Sequence, residues 1–381
     1  MFYILKTSEI ILKGKNRKNF EKILVNNLKN KLGSDLLQIK NYGGVFLLET
    51  KHKAGTSIQK IFGIENFSPV KIFDSLEEVK DFLACLITKR IQLNFGNNFN
   101  LHVQRGDKDY PLTSVEIANE LKKFIKEKFN WKAENKNQET KIFIYYRDKK
   151  FFLYFNKIKC FGGLPVGSSG KGLALLSAGF DSPVASFLCM KRGIKTYFLH
   201  FYSYPQTTKE SIEKVKKLIK ILNEYNLGSK LYLMNILEIQ KFYFLNVPKE
   251  YLVIFYRRTM FRLAEKLKSD LNLDVLITGE NLGQVASQTV FNLKVIENSV
   301  NSLILRPLLG FNKQEIIDLA KIIGTEKISR EPYNDCCSLF IPKKVETKAK
   351  LEKILEIENS FKKRIKNLEE KIYDQREIIE F

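Results

Sequence analysis

Two hydroxyl groups and a carboxylate stand between a short apolar run and a helical pattern near the middle of the chain. Residues 173–176 favour a buried strand, and residues 184–190 follow the helical period. The turn between them points backbone N–H groups and the positive end of the helix dipole at an anion. Beside that anion, Asp181 can hold Mg²⁺ and Ser182 can donate to a phosphate oxygen. These residue types in this order predict a phosphate-binding site.

The six residues 177–182 read S-A-G-F-D-S. They match neither the P-loop spacing nor the G-x-G-x-x-G pattern of dinucleotide folds. They resemble the S-G-G-x-D-S pyrophosphatase loop of enzymes that split ATP into AMP and pyrophosphate, with Ala178 in place of the first glycine. If that position requires a positive φ, the alanine costs on the order of 1 kcal/mol. The alternative for this segment alone is a turn of small residues without a ligand.

The charge of the chain indicates a polyanionic partner. Its 381 residues include 64 Lys and Arg against 42 Asp and Glu, a net charge of +22. Such a length suits two or three domains. Residues 1–160 hold 30 of the basic and 17 of the acidic side chains. Nucleic acid is the partner that this charge favours, and a lysine-rich coding bias is the alternative.

The hydropathy and the cysteines favour a cytoplasmic location. No segment approaches the roughly 18 apolar residues of a membrane span, and the start of the chain lacks the pattern of a signal peptide. The five cysteines form no C-x-x-C and no zinc or iron–sulfur spacing, so we expect free thiols in a reducing compartment. Three of them lie in apolar patterns and are expected to be inert: Cys85, Cys160 and Cys189.

The N-terminal segment predicts a small α/β unit. A strand at 2–6, a helix at 20–32 and a strand at 45–49 follow from the apolar spacing. Residues 8–18 are interpreted as a basic loop that could bind RNA phosphates, with a solvated charge run as the alternative. The candidate RNA contacts in this loop are Lys13, Lys15, Arg17 and Lys18.

A second α/β unit is predicted over residues 53–163. Ser75 and Glu78 make a capping box for one helix, and Ser114 is expected to cap another. Residues 142–155 predict a hairpin. The aromatic residues of this unit stand at strand spacing and are interpreted as core residues rather than base-stacking platforms.

Part of this second unit resembles an RNA-binding module. Residues 101–118 are similar to the core of a THUMP domain, which occurs in RNA-modification enzymes. The resemblance implies an RNA-binding role for the unit. It also makes Arg105 a further candidate RNA contact.

A doubly wound parallel sheet is predicted after a linker at 162–172, which is rich in turn-forming residues. The predicted strands lie at 173–176, 196–201, 230–234 and 275–278, with helices between them. Ligands of such sheets bind beyond the carboxyl ends of the strands. The residues at those ends are Ser177, His200, Asn235 and Gly279. The charged tail 344–381 is expected to pack as a peripheral helix or to extend.

Three further segments carry a family resemblance. They read T-G-E-N-L-G-Q-V-A-S-Q-T at 278–289, L-R-P-L-L-G-F-N-K-Q-E-I at 305–316, and a run at 323–337 that ends in N-D-C-C. With the loop at 177–182, they resemble the tRNA 4-thiouridine synthase family, the tRNA uridine 4-sulfurtransferases, over essentially the whole chain. The resemblance implies a multidomain α/β fold. Its domains are a ferredoxin-like domain at 1–52, a THUMP domain at 53–163, and a doubly wound pyrophosphatase-loop domain of the adenine nucleotide alpha hydrolase type at 164–381.

The resemblance implies ATP as a substrate, with Mg²⁺, for turning the uridine C4 oxygen into a leaving group. Such chemistry depends on positioning and charge neutralisation. Ser177 and Ser182 suit the pyrophosphate, and Lys313 and Arg257 suit phosphate as cationic partners. The implied ATP-binding residues are Leu175, Leu176, Ser177, Gly179, Asp181, Ser182, His200, Phe201, Arg257, Gly279 and Gln288. The implied catalytic residues are Cys336, Asp181 and Lys313.

His200, and Glu280 in the run at 278–289, have ordinary structural alternatives. A histidine at a strand end, such as His200, is more often a satisfied core residue, and its backbone is then the expected ATP contact. Glu280 could orient a cation or cap the following helix, and capping is the commoner role.

Sulfur must arrive as a nucleophile, and a cysteine persulfide supplies it. Cys336 matches the family's catalytic cysteine and must be a reachable thiolate. The adjacent Cys337 is too close for easy disulfide formation with it. No rhodanese pattern is present, so a cysteine desulfurase is the expected direct donor, and sulfur supply for the thiamine thiazole is a secondary expectation.

The sequence therefore predicts a cytoplasmic ATP-dependent sulfurtransferase that makes 4-thiouridine, at position 8 of tRNA in the family. No iron–sulfur cluster and no membrane contact are expected. The expected partners are tRNA and the desulfurase. A homodimer is one option for the oligomeric state. The alternatives are an RNA-binding module with an inactive nucleotide fold, and another adenylating tRNA enzyme such as a 2-thiouridine synthase.

Overall fold

The computed structural model describes residues 1–88, 98–129, 132–133, 140–332, 334–342 and 345–381. They form two compact units, Met1–Gly163 and Leu164–Phe381. The division between the units lies within the segment predicted as a linker. None of the helices in the described part of the chain combines the length and the hydropathy needed to cross a membrane.

The first sheet of the N-terminal unit is ferredoxin-like. Its elements are β1 (Phe2–Lys6), α1 (Arg17–Leu32), β2 (Leu36–Asn41), β3 (Val45–Thr50), α2 (Gly55–Gln59) and β4 (Asn66–Pro69). The strand order β4-β1-β3-β2 is antiparallel throughout. The boundary predicted after residue 52 falls too early, because β4 is hydrogen-bonded to β1, with Ser68 opposite Ile4.

The basic segment after β1 is a 3₁₀ helix, Glu9–Asn16, rather than the predicted loop. Its Ile10 is fully buried, so the segment packs on the core of the domain. Gly14, at φ +52°, interrupts the helical backbone just before α1 begins. The charged residues of this segment predicted a loop, but burial of the Ile10 side chain holds the segment against the core of the domain.

A mixed sheet forms the rest of this unit. Its elements are β5 (Lys71–Phe73), α3 (Leu76–Thr88), β6 (Asn98–Arg105), α4 (Ser114–Phe129), β7 (Lys132–Ala133), β8 (Thr140–Arg147) and β9 (Lys150–Tyr154), while β10 (Ile158–Lys159) joins the first sheet beside β4. The strand order is β5-β9-β8-β6-β7, and β8 and β9 confirm the predicted hairpin. Ser75 caps α3 as predicted, since its Oγ accepts from Glu78 N at 3.2 Å. The cap of α4 is Thr113 rather than Ser114, because Thr113 Oγ1 accepts from Glu116 N.

The aromatic residues of this mixed sheet are core residues, as predicted. One face packs against α3 and α4 around Phe99, Phe151 and Tyr146. On the other face, Phe143 and Phe152 belong to an apolar cluster that also contains Ile4, Leu47 and Val70 from the first sheet and the segment after it.

The C-terminal unit is the predicted doubly wound sheet. Its elements are β11 (Lys171–Leu175), α5 (Asp181–Lys191), β12 (Lys195–Tyr202), α6 (Glu210–Asn226), β13 (Lys230–Asn235), α7 (Leu237–Asn246), α8 (Leu252–Asp270), β14 (Val275–Ile277), α9 (Val290–Glu297), β15 (Ile304–Leu305), α10 (Lys313–Ile323), α11 (Glu326–Arg330), α12 (Leu351–Ser360), α13 (Lys362–Asp374) and β16 (Glu377–Glu380). The strand order is β15-β14-β11-β12-β13-β16, parallel except for the antiparallel edge strand β16.

The connectivity of this sheet places a crevice beside β11. The chain passes from β11 to β12 and β13 on one side and then crosses back to form β14 on the other. Such a reversal leaves space at the carboxyl ends of the two central strands, where ligands of doubly wound sheets bind. Helix α5 begins six residues after β11 and points its N-terminus at this space.

The C-terminal tail is part of this unit's core rather than peripheral. Lys344, where the tail was predicted to start, lies outside the described residues. Beyond it, α12 and α13 bury Ile354 and Leu368 in the same apolar cluster as α8. Ion pairs from Arg258 on α8 to Glu358 on α12 add to this packing.

Candidate functional site

A cavity of about 590 Å³ opens at the carboxyl ends of β11, β12 and β14. The structure brings every predicted ATP-binding and catalytic residue to its wall: Leu175, Leu176, Ser177, Gly179, Asp181, Ser182, His200, Phe201, Arg257, Gly279, Gln288, Lys313 and Cys336. Among the predicted strand-end residues, Asn235 is the exception in the described part of the chain. Its Oδ1 accepts from the backbone N of Leu237, the first residue of α7, at 3.1 Å.

The loop between β11 and α5 is closed by its own hydroxyl groups. Ser182 Oγ accepts from Ser177 N at 2.8 Å and lies 3.0 Å from Ser177 Oγ. Ala178 is fully buried and does not adopt a positive φ, so the alanine that replaces glycine causes no backbone strain. No side chain caps the start of α5, which leaves its first N–H groups for an anion.

Gly279, directly after Thr278 at the end of β14, lets the two sides of the crevice approach closely. A Cβ atom at this position would lie 2.5 Å from Ser182 N and 2.7 Å from the carbonyl carbon of Asp181. Any side chain there would push the loop and the start of α5 away from β14. The absence of a side chain therefore helps shape the cradle.

Both carboxylate oxygens of Asp181 are engaged. Lys313 Nζ donates to Oδ1 at 2.7 Å, and Gln284 Nε2 donates to Oδ2 at 2.9 Å. Lys313 is the first residue of α10, whose start is fixed by a capping box of Asn312 and Glu315. Sequence reasoning missed Gln284, although it lies inside the T-G-E-N-L-G-Q run that carries the family resemblance.

Glu280 is a buried carboxylate held between two arginines. It is 1% exposed and lies 2.6 Å from both Arg257 Nη2 and Arg306 Nε. Burial alone would raise the pKa of Glu280, but the two guanidinium groups hold it below its ordinary value. Its role is to orient cations, while Thr289 caps α9. The capping role expected for Glu280 is therefore wrong.

His200 has the ordinary structural role that the sequence allowed. Its Nδ1 lies 2.8 Å from the Leu176 carbonyl, so this nitrogen carries a proton and donates. Burial lowers the pKa of the imidazole, which favours the neutral ring. The side chain thus ties the end of β12 to the end of β11.

Cys336 lies in a 3₁₀ turn, Cys336–Ser338, whose start is capped by Asp335. Its Sγ donates to the Phe201 carbonyl at 3.3 Å, and the residue is 7% exposed. Hydrogen bonding to Cys337, together with burial, raises the pKa of the Cys336 thiol well above its ordinary value. In this arrangement the thiol is buried and its raised pKa favours the protonated form, and the thiolate expected for sulfur transfer stays a prediction.

The other three cysteines differ in their exposure to solvent. Burial raises the pKa of both Cys160 and Cys189 to about 12, in line with inert thiols. Cys85 is exposed on α3, so the expectation of an apolar environment is wrong for it.

The candidate RNA contacts lie in the N-terminal unit. Lys15 and Lys18 are exposed on the 3₁₀ helix and on the first turn of α1. Lys13 Nζ lies 5.2 Å from the centroid of the Phe20 ring. Arg17 and Arg105 have structural partners: Arg17 Nε donates to Glu21 at 2.7 Å, and Arg105 Nη1 donates to the carbonyls of Tyr110 and Leu112.

Comparisons with known proteins place the chain in a family. A family model described as "Thiamine biosynthesis protein (ThiI)" matches residues 167–363, and one described as "ThiI ferredoxin-like domain" matches residues 2–68. The chain belongs to the ThiI family. Relatives of this ThiI chain include a "Probable tRNA sulfurtransferase" of Caldanaerobacter subterraneus, 38% identical over 97% of this chain and 98% of its own length. Another, of Alkaliphilus oremlandii, is 39% identical over 93% of each chain.

A solved structure shares the whole architecture of this ThiI chain. It is a 4-thiouridine synthetase in complex with RNA and with bound ATP, and it has 34% sequence identity to this chain. The TM-score is 0.91, and the match covers 100% of this chain and 99% of the other. The predicted family and the predicted multidomain α/β fold are both confirmed.

Proposed function

We infer that this ThiI chain is an ATP-dependent tRNA sulfurtransferase, and we propose that its product is 4-thiouridine, at position 8 of tRNA as the family resemblance implies. The observation that carries the proposal is one cavity that holds a phosphate loop, cationic side chains and a cysteine. Adenylation acts on the uridine C4 oxygen and sulfur transfer acts on C4 itself, so both sets of groups must reach one space. We place the reaction in the cytoplasm, with tRNA as its substrate.

In the first step the uridine C4 oxygen attacks the α-phosphorus of ATP and pyrophosphate leaves. The start of α5 and the hydroxyls of Ser177 and Ser182 would bind the leaving pyrophosphate. Arg257, oriented by Glu280 and with its Nε buried and without a hydrogen-bond partner, would bind a phosphate oxygen. Such positively charged donors stabilise the charge that develops in the transition state.

Asp181, by holding Mg²⁺, and Lys313, by its own charge, would neutralise the remaining phosphate charge. Carboxylate oxygen is a ligand that Mg²⁺ prefers, so Asp181 is the residue that would hold the ion, which neutralises pyrophosphate charge when bound. Lys313 Nζ would then exchange its contact with Asp181 for a phosphate oxygen. The 2.7 Å pair between them keeps both side chains aimed at the loop.

In the second step a persulfide on Cys336, supplied by a cysteine desulfurase, attacks C4 through its terminal sulfur. The C4–O bond breaks and AMP leaves with the oxygen. An external thiol then attacks Cys336 Sγ and breaks the S–S bond, so that the outer sulfur stays on C4 and a disulfide forms between Cys336 and the external thiol. A second external thiol reduces this disulfide and restores the Cys336 thiol. To accept sulfur from the persulfide of the desulfurase, the Cys336 thiol must first leave the Phe201 carbonyl and become a thiolate.

A reconstituted reaction tests this proposal. Purified protein, ATP, unmodified tRNA, a cysteine desulfurase and cysteine should yield 4-thiouridine together with AMP and pyrophosphate. Asp181→Ala should abolish both ATP–pyrophosphate exchange and product, whereas Asp318→Ala, on the exposed face of α10, should leave both unchanged. Formation of 2-thiouridine, or tRNA binding without AMP, would favour the alternatives instead.

A further inference from the structure

The turn that carries Cys336 is hydrogen-bonded to a buried side-chain amide from another element. Gln240 on α7 is fully buried, and its Nε2 donates to the Cys336 carbonyl at 2.8 Å. The same carbonyl also accepts from Leu339 N, at the longer distance of 3.3 Å. Gln240 therefore provides the shorter of the two hydrogen bonds, and it comes from 96 residues away in the sequence.

The other end of this amide is fixed as well. Ser203 Oγ donates to Gln240 Oε1 at 2.5 Å, and Ser203 is itself fully buried just after β12. Because a carbonyl oxygen can only accept, the NH₂ group of Gln240 must face Cys336 and its oxygen must face Ser203. The side chain has a single orientation, set by the end of β12.

The thiol of Cys336 is held much less firmly than its main chain. Its Sγ donates to the Phe201 carbonyl at 3.3 Å and also interacts with the side chains of Cys337 and Asp335, and a thiol is a weak donor. The residue also lines the cavity. A rotation about χ1 can therefore move the sulfur into the cavity while the carbonyl stays on Gln240.

We propose that Gln240 is a positioning residue for sulfur transfer, which fixes the main chain of Cys336 at the cavity so that only the thiol has to move. The proposal rests on the sulfur-carrying role assigned to Cys336 above. Gln240 touches neither substrate nor reacting sulfur, and it acts through the Cys336 carbonyl. Ser203 supports it by keeping the amide in the one productive orientation.

Three variants of the full-length protein test this role. Gln240→Met keeps the length of the side chain but removes the donor, and Ser203→Ala removes only the partner of the amide oxygen. Lys241→Met is the matched control, since Lys241 is the exposed neighbour on the same helix. For each, the measurements are kcat and KM for tRNA thiolation, ATP–pyrophosphate exchange, and the alkylation rate of Cys336 by iodoacetamide, followed by peptide mass spectrometry.

Gln240→Met should lower kcat for thiolation by about tenfold or more, because a buried carbonyl loses its shorter partner. KM for ATP and pyrophosphate exchange should stay within about twofold, and Cys336 should be alkylated several-fold faster. Ser203→Ala should change kcat and alkylation in the same direction but less. If the Gln240→Met protein does not fold, the Ser203→Ala protein still tests the proposal.

The proposal is overturned if both variants keep the wild-type kcat and alkylation rate. It is also overturned if exchange falls in proportion to thiolation, since that would indicate a general structural role. Failure of the proposed function looks different. In that case the wild-type protein itself makes no 4-thiouridine, while the alkylation rates still report on Gln240.

Discussion

Among single residues, the two adjacent cysteines Cys336 and Cys337 differ in their surroundings. Both line the cavity, but Cys336 is buried under the Phe201 carbonyl, whereas Cys337 is partly exposed and has its Sγ 4.0 Å from Met260 Sδ. Cys336→Ser should keep pyrophosphate exchange and tRNA binding but form no 4-thiouridine, and Cys337→Ser should keep substantial activity. Sulfur-35 delivered by a desulfurase should be found on Cys336 by peptide mapping. Label on Cys337 in an active Cys336→Ser protein would reverse the assignment.

The protonated state of Cys336 also predicts how its reactivity depends on pH. The pKa of this thiol is raised, so the folded protein has less thiolate at neutral pH than an ordinary cysteine has, and only the thiolate is alkylated. Its alkylation rate should be low at neutral pH and should still be rising at the ordinary value of 9.0. Exposed Cys85 provides an internal control for the reagent. A rate that levels off below pH 9.0 would contradict the buried thiol described here.

The sequence predicted which residues line the cavity better than it predicted the hydrogen bonds and ion pairs that hold them in place. The motif positions pointed to the loop at 177–182, Lys313 and Cys336, which the structure brings to the wall of one cavity. Glu280 was left with two alternative roles, and Gln240 gave no signal at all. Their partners, Arg306 and the Cys336 carbonyl, are 26 and 96 residues away, and only the folded chain brings them together.

At the scale of elements, the tail helices are joined to α8 by a buried ion pair. The side chain of Arg258 is 3% exposed and contacts Glu358 at 2.7 Å. Glu358→Ala would leave this guanidinium without its carboxylate partner, which typically costs about 3–5 kcal/mol. Hydrogen exchange of the α8 and α12 amides should accelerate accordingly.

Glu356→Ala is the matched control for this change, because Glu356 lies on the same helix and pairs with Lys353 at the surface. Loss of an exposed pair should cost no more than about 1 kcal/mol. Equal exchange rates in the two variants would mean that the tail does not stabilise α8 through this pair.

Among the elements, the long periodic ones were predictable and the short edge strands were not. The four inner strands and the helices between them follow from apolar periodicity. Strands β15 and β16 have two and four residues, too few for a pattern, and they form because β14 and β13 offer open edges. The same reason explains why β4, which completes the ferredoxin-like sheet, was missed.

At the scale of the whole molecule, the excess positive charge of residues 1–160 predicts where tRNA affinity resides. A fragment of residues 1–163 should bind tRNA, with an affinity that falls steeply with salt because counterions are released from the phosphates. Replacing exposed Lys15 and Lys18 together by alanine should reduce the slope of log K against log salt by about 1–2. A fragment of residues 164–381 that binds as tightly as the whole chain would contradict this.

The nucleoside content of tRNA from a strain that lacks this gene shows whether the protein makes 4-thiouridine. Mass spectrometry should show that 4-thiouridine disappears on deletion and returns with the wild-type gene. It should stay absent with Asp181→Ala or Cys336→Ser, although both proteins accumulate. Unchanged 4-thiouridine in the deletion strain would show that this protein does not make the nucleoside, and full recovery with either variant would contradict the role assigned to that residue.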